Sequence, residues 1–205
     1  MESIRLRVWR LTTNSMYTHK LVPMLVLMGF ALSPLVGQDH SNHRAMISEV
    51  SRDDMLNTAF LLTNHEGAFV DQAILQDKYT LIGFGFTNCP DVCPLMVFNM
   101  SMALELMPEN SQGIFISVDT ERDTPSIVHK YASNFHSKMI GLSGSYDQVN
   151  NASKNFLVSY SVTKTTDAYT VQHTSNIYLL GEAGQVIDVF SFSDSPDIIA
   201  NALHN

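Results

Sequence analysis

Residues 79–107 read YTLIGFGFTNCPDVCPLMVFNMSMALELM, and the junction in the middle of this stretch decides the fold. Tyr79 to Phe86 is an apolar run rich in aromatic and β-favouring residues, the pattern of a strand buried on both faces. Leu95 to Met107 has helical spacing, with Leu95, Phe98, Met102 and Leu106 as the expected core positions. Between strand and helix stands TNCPDVCP, which holds Cys89 and Cys93, the only two cysteines of the 205-residue chain. Four residues apart in a helical turn, the two sulfurs share one side. The free N–H groups and positive dipole end of a first helical turn lower thiol pKa. Two thiolates suit a soft ion such as Cu(I), and they also suit a disulfide, so spacing alone leaves metal binding and redox work both open.

Outward from this junction the elements alternate. Phe60 to Val70 reads as two short strands around a turn at Asn64 to Gly67, and Gly113 to Val118 as a second buried strand. Thr124 and Pro125 suit the cap and first position of a helix over Ile127 to Phe135. Gln148 to Val158 reads as another helix, and Tyr160 to Val162 with Tyr169 to Gln172 as a hairpin. Asn176 to Leu180 and Gln185 to Phe190 are strands around Gly181 to Gly184, and Asp194 caps a last helix, Ile198 to Leu203. This order is α/β and fits a thioredoxin-like fold with an N-terminal extension and an inserted β-hairpin, over residues 59–205.

Charge divides the chain unevenly. Residues 1–20 hold Arg5, Arg7, Arg10 and Lys20 against Glu2, whereas from Asp39 onward 8 basic residues face 19 acidic ones. Between them Leu21 to Gly37 is free of charge over 17 residues, roughly 25 Å as a helix. A basic flank, an apolar run and an acidic body predict an export signal or membrane anchor, with 38–58 as a linker. Leu35 and Gly37 form a mediocre cleavage site, so retention and cleavage both stand. Either places the domain in an oxidising compartment. A net charge of −8 gives no general attraction to nucleic acid, and two cysteines do not make a disulfide scaffold.

FGFTNCPDVCP at 84–94, FISVDTERDTP at 115–125 and QHTSNIYLL at 172–180 together closely resemble the Sco/SenC family, in family order, from about Phe60 to His204. The resemblance implies a membrane-anchored, thioredoxin-like copper protein that assists assembly of the dinuclear copper centre of cytochrome c oxidase. It implies Cys89, Cys93 and His173 as ligands of a copper ion, Cu(I) or Cu(II). It also implies, as partner, the copper-bearing oxidase subunit or another periplasmic copper protein. The expected site is the periplasmic side of the bacterial inner membrane, or the intermembrane space in a mitochondrion. The family loop usually has proline where Thr120 stands, which changes loop stiffness and touches no expected ligand.

A thiol-disulfide oxidoreductase using Cys89 and Cys93, or a redox or copper sensor, remains the alternative reading, and a metal carrier is favoured over an enzyme. Asp91, between the cysteines, is expected either to cap the helix or to stand in a second shell with Asp119, and Arg122 and Asp123 to brace their loop. Met96, Met100 and Met107 read as core filling before thioether ligands. His129 and His136 read as a solvated stripe, and His65 as a turn residue. Cleavage after Gly37 would expose Gln38-Asp39-His40 as a square-planar Cu(II) site near His43; otherwise both histidines belong to the linker.

Overall fold

A computed structural model describes residues 56–204. The basic segment, the apolar run, His40, His43 and nearly all of the linker lie outside the described residues. Two short strands, β1 (Leu61–Thr63) and β2 (Phe69–Asp71), pair antiparallel as an N-terminal hairpin, followed by a 3-10 turn at Gln72–Leu75. Then come β3 (Tyr79–Gly85), α1 (Val92–Leu106), β4 (Ser111–Ser117), α2 (Pro125–Ser133), β5 (Met139–Leu142) and α3 (Tyr146–Asn155). The inserted hairpin β6 (Tyr160–Lys164) and β7 (Tyr169–His173) precedes β8 (Asn176–Leu180), β9 (Val186–Ser191) and α4 (Pro196–Asn201).

The central sheet has the order β5-β4-β3-β8-β9, with β3, β4 and β5 parallel and β8 and β9 antiparallel. Helices cover both faces, so β3 and β8 are nearly continuous apolar runs rather than alternating ones, and β4 is buried along its whole length around Ile114, Phe115 and Ile116. Leu81, Phe115 and Leu179 face α1, α2 and α4. Ile82, Phe84, Ile114, Ile116, Tyr178 and Leu180 face α3 and the N-terminal hairpin. This is the thioredoxin-like arrangement, with the cysteine turn at the C-terminal end of the middle strand.

Helix α1 packs by the face opposite to the expected one. Leu95, Phe98, Met102 and Leu106 are exposed, and Cys93, Met96, Val97, Met100, Ala103 and Leu104 are buried. Apolar residues occur almost all round this helix, so periodicity offers two stripes and cannot choose between them. The sheet makes the choice. A Cβ on Gly83 would lie 3.0 Å from both Met100 Sδ and Met96 Cε, so the methionines fill the hollow that this glycine leaves. Met96 and Met100 are therefore packing residues.

Other differences are local. Strand β5, which the sequence reading did not mark, sits at the sheet edge beside β4. Helix α3 begins two residues earlier than expected because Ser145 and Gln148 form a reciprocal capping box. Ser195, not Asp194, caps α4, because Pro196 fixes the first helical residue and the cap must precede it. The Asp194 carboxylate instead accepts from the Ser191 N–H at 2.8 Å. Thr124 caps α2 with Pro125 at its start, as expected.

Candidate metal centre

The strand-to-helix turn brings the two thiols together at the start of α1. Cys89 precedes the helix and is half-buried; Cys93 lies in its first turn and is fully buried. The Cys93 N–H donates to Cys89 Sγ at 3.5 Å. Gly85 leaves room for the buried sulfur: a Cβ there would come within 2.8 Å of Cys93 Sγ. The two thiols differ chemically. Burial alone would raise Cys89, but the backbone N–H groups of Asp91, Cys93 and Val92 and the Cys93 side chain outweigh it, and the thiol is lowered. Burial pushes the Cys93 thiol far above the ordinary value, helped by the neighbouring Cys89 and Asp123 charges.

His173 ends β7, where it pairs in register with Tyr160, and the hairpin carries its ring to the thiols. His173 Nε2 stands 3.3 Å from Cys93 Sγ. Nδ1 donates to the Thr174 carbonyl at 2.9 Å, and a carbonyl can only accept, so the neutral ring has its lone pair on Nε2. Burial lowers the His173 pKa, with the Thr174 bond opposing, and keeps the imidazole neutral at pH 7. Phe86 meets the imidazole edge-on at 5.8 Å between centroids.

Cys89, Cys93 and His173 thus converge from positions 84 residues apart at most, and two sulfurs with one imidazole are a donor set for a soft ion. Among the described residues, no three His, Cys, Asp or Glu side chains already stand as a closed metal cage. The sulfur–nitrogen contact of 3.3 Å is a hydrogen-bond distance, and the three would close around an ion only after a side-chain adjustment.

The two acids lie differently. Asp91 is exposed and precedes α1, but its side chain makes no capping bond. Asp119 is fully buried and accepts from Arg122 Nε and from the Tyr169 hydroxyl, each at 2.5 Å. The Arg122 guanidinium lies 3.8 Å over the Tyr169 ring and 5.9 Å from that of Phe86. Asp119 therefore reaches the histidine through a packed line of Arg122 and Phe86. The Tyr169 hydroxyl is pushed up to about 12 by burial and its bond to Asp119. Tyr169 lies in no motif and Thr174 within one only as the neighbour of His173, since a hydroxyl and a main-chain carbonyl acquire these roles only through hairpin register.

Asp123 pins the loops beneath the site. Its carboxylate accepts from the Thr87 N–H at 2.8 Å, the Thr87 hydroxyl at 2.5 Å and the Ser117 hydroxyl at 2.6 Å, and its carbonyl accepts from Ser143 at 3.0 Å. Asp123→Ala keeps the carbonyl but strands the two Thr87 donors and the Ser117 hydroxyl, so unfolding free energy should fall by about 3 kcal/mol. Urea denaturation measures this; a loss under about 1 kcal/mol would contradict the pinning role.

The SCO1/SenC family model matches residues 48–205. The protein sco1 of Schizosaccharomyces pombe is 36% identical over 157 residues, 72% of this chain and 59% of that protein. The structure of Bradyrhizobium japonicum ScoI with copper bound is 37% identical, covers 73% of this chain and 98% of that one, and superposes with a TM-score of 0.65. The structure of BsSco, described by a disulfide switch in a Sco-family cytochrome c oxidase assembly protein, is 28% identical over 71% of this chain and 90% of that one, with a TM-score of 0.55. Relatives include mitochondrial proteins of Arabidopsis thaliana and Saccharomyces cerevisiae and SCO2-like proteins of Rickettsia. The chain spans about half the length of the eukaryotic relatives it matches. The match runs through the cysteine turn, the Asp119 loop and the histidine hairpin alike, and on that extent the chain belongs to the SCO1/SenC family.

Proposed function

We propose that the chain is a copper metallochaperone that assists delivery of copper to the dinuclear copper centre of cytochrome c oxidase. The observation that carries this reading is the meeting of the two thiols with a neutral, oriented imidazole, Nε2 of His173 at 3.3 Å from Cys93 Sγ. A relative with the same fold is described with copper bound. Copper is the cargo. Cys89 and Cys93 hold it as thiolates and His173 supplies the nitrogen. The high pKa of Cys93 keeps its proton in place until the ion displaces it, so copper uptake releases protons. Delivery proceeds by ligand exchange, in which an incoming thiolate or imidazole replaces the chain's ligands in turn. Metal analysis of the reduced soluble domain tests the reading: one copper per chain supports it, and none ends it.

The unequal thiols favour a second role for the same pair. Cys89, the half-exposed thiol with the lowered pKa, is suited to attack a partner's disulfide; Cys93 resolves the mixed disulfide once it gives up its proton to water, its thiolate displacing the partner's thiolate as the Cys89–Cys93 bond forms. BsSco, of the same family, is described by a disulfide switch. Copper binding requires the reduced pair, so carriage and thiol exchange are alternative states of one site.

Delivery to an oxidase places the domain outside the bacterial cytoplasm or in the intermembrane space, tethered to the membrane if Leu21 to Gly37 is retained. Among the described residues no helix is long and apolar enough to cross a membrane. A reporter that works only after export, fused after Phe60, should be active; an inactive fusion would overturn this location.

A further inference from the structure

Helix α1 has two apolar faces, and the domain uses only one. Leu95, Phe98, Met102 and Leu106 stay 42%, 50%, 43% and 55% exposed on the side away from the sheet. At 3.6 residues per turn the four fall within an arc of about 80°, in a row about 17 Å long. Single exposed apolar residues are ordinary; a contiguous row of four large ones marks a contact surface. Asn99, beside the row, donates to the Phe192 carbonyl at 2.9 Å and ties one flank to the segment before α4. Exposed Glu105 lies on the other flank.

We infer that this row is the docking face for the protein that exchanges copper at Cys89, an inference that rests on the carrier reading above. The partner presents an apolar patch with a basic rim beside its own thiolate or imidazole ligands. Ligand exchange requires the incoming donor atom to enter the coordination sphere, at about 2.0–2.3 Å. The partner's surface must then lie against the start of α1, where Cys89 is the accessible thiol. One side of a standard interface covers about 800 Å², a disc of about 16 Å radius. Leu106, the far end of the row, lies about 25 Å from Cys89 at 1.5 Å per residue, so a footprint about 32 Å across with Cys89 near its edge covers the row.

Charge selects among the occupants. Between Val92 and Leu106 there is no Lys or Arg, and Glu105 is the sole charged residue. Asp91 stands exposed just before the row; at its far end Glu109 pairs with Lys138 at 3.0 Å and Glu105 meets His136 Nε2 at 2.9 Å, and residues 56–204 as a whole hold 15 acidic against 6 basic residues. A helix that lies on an anionic bilayer carries Lys and Arg on its polar face, which this one lacks. A second copy would bring the same acidic rim against itself. A partner with a basic rim is the complementary surface.

The test is the rate of copper transfer from the copper-loaded full chain to the isolated copper-bearing domain of the oxidase subunit from the same organism. Phe98→Ala, Met102→Ala and Leu106→Ala together should slow the second-order transfer at least tenfold, with copper affinity unchanged. Leu61→Ala with Phe69→Ala removes exposed apolar surface from the N-terminal hairpin and should leave the rate unchanged. Met102→Gln keeps length and helix propensity and should slow transfer severalfold, which covers the case of a misfolded triple variant. Wild-type rates in the triple and Gln variants overturn the docking face and leave the carrier reading intact. A wild-type chain that binds copper but transfers none overturns delivery, and the docking face with it. A wild-type dimer that the triple variant abolishes assigns the row to a second copy and overturns the inference. So does quenching by brominated lipid, in reconstituted vesicles, of a tryptophan placed by Phe98→Trp in a Trp9→Phe chain.

Discussion

Cys93→Ser should lower Cu(I) affinity by at least a thousandfold, about 4 kcal/mol, the largest change expected at the site. The substitution keeps the fold within reach. Serine is close to cysteine in size, the position is fully buried beside Gly85, and the Cys93 N–H that donates to Cys89 is retained. What is lost is the sulfur next to His173 Nε2, and a hydroxyl oxygen is a hard, protonated donor that Cu(I) does not accept in its place. One thiolate and one imidazole then remain. Competition against a Cu(I) chelator under reducing conditions measures the loss, with circular dichroism as the check on folding. An affinity within tenfold of wild type, in a folded variant, would show that the buried sulfur is not a ligand.

The cysteine turn was legible because its chemistry is local: two thiols, their prolines and the strand before them are contiguous in the chain. Strands β3, β4 and β8 were legible for a related reason, since burial on both faces writes an apolar run whatever the neighbours are. The inward face of α1 was not. Met96 and Met100 win the core because Gly83 leaves a hollow that flexible thioethers fill, a fact of the sheet rather than of the helix's own period. Asp119 stood out by its place at a strand's end, and Arg122 is its neighbour three residues on, but its bond from Tyr169 depends on the register of a hairpin fifty residues away. His65 is a similar case: its ring stacks on His129 at 4.0 Å between centroids, a pairing of turn and helix that no spacing in the sequence records. The Ser145–Gln148 capping box, by contrast, was readable as a short motif and was missed.

His173→Ala should separate the two roles of the thiol pair. The imidazole is neutral, and its Nδ1–H is held by the Thr174 carbonyl, so Nε2 is aimed at Cys93 before any ion arrives. Removing the ring leaves both sulfurs in place. Cu(I) can be held by two thiolates alone, so its affinity should fall by only about 10- to 100-fold. Cu(II) depends more on nitrogen, and its absorption and electron paramagnetic resonance signals should largely vanish. Disulfide formation between Cys89 and Cys93 needs only the two sulfurs in reach and should proceed in the variant. The attacking thiol should still be Cys89, since the backbone N–H groups that lower its pKa belong to Asp91, Cys93 and Val92 and are untouched. Selective loss of Cu(II) with thiol exchange preserved is the signature of a copper carrier whose histidine is a ligand. The opposite result, both copper states bound as in wild type while thiol exchange collapses, would make His173 a partner of the Cys93 thiol and the chain an oxidoreductase.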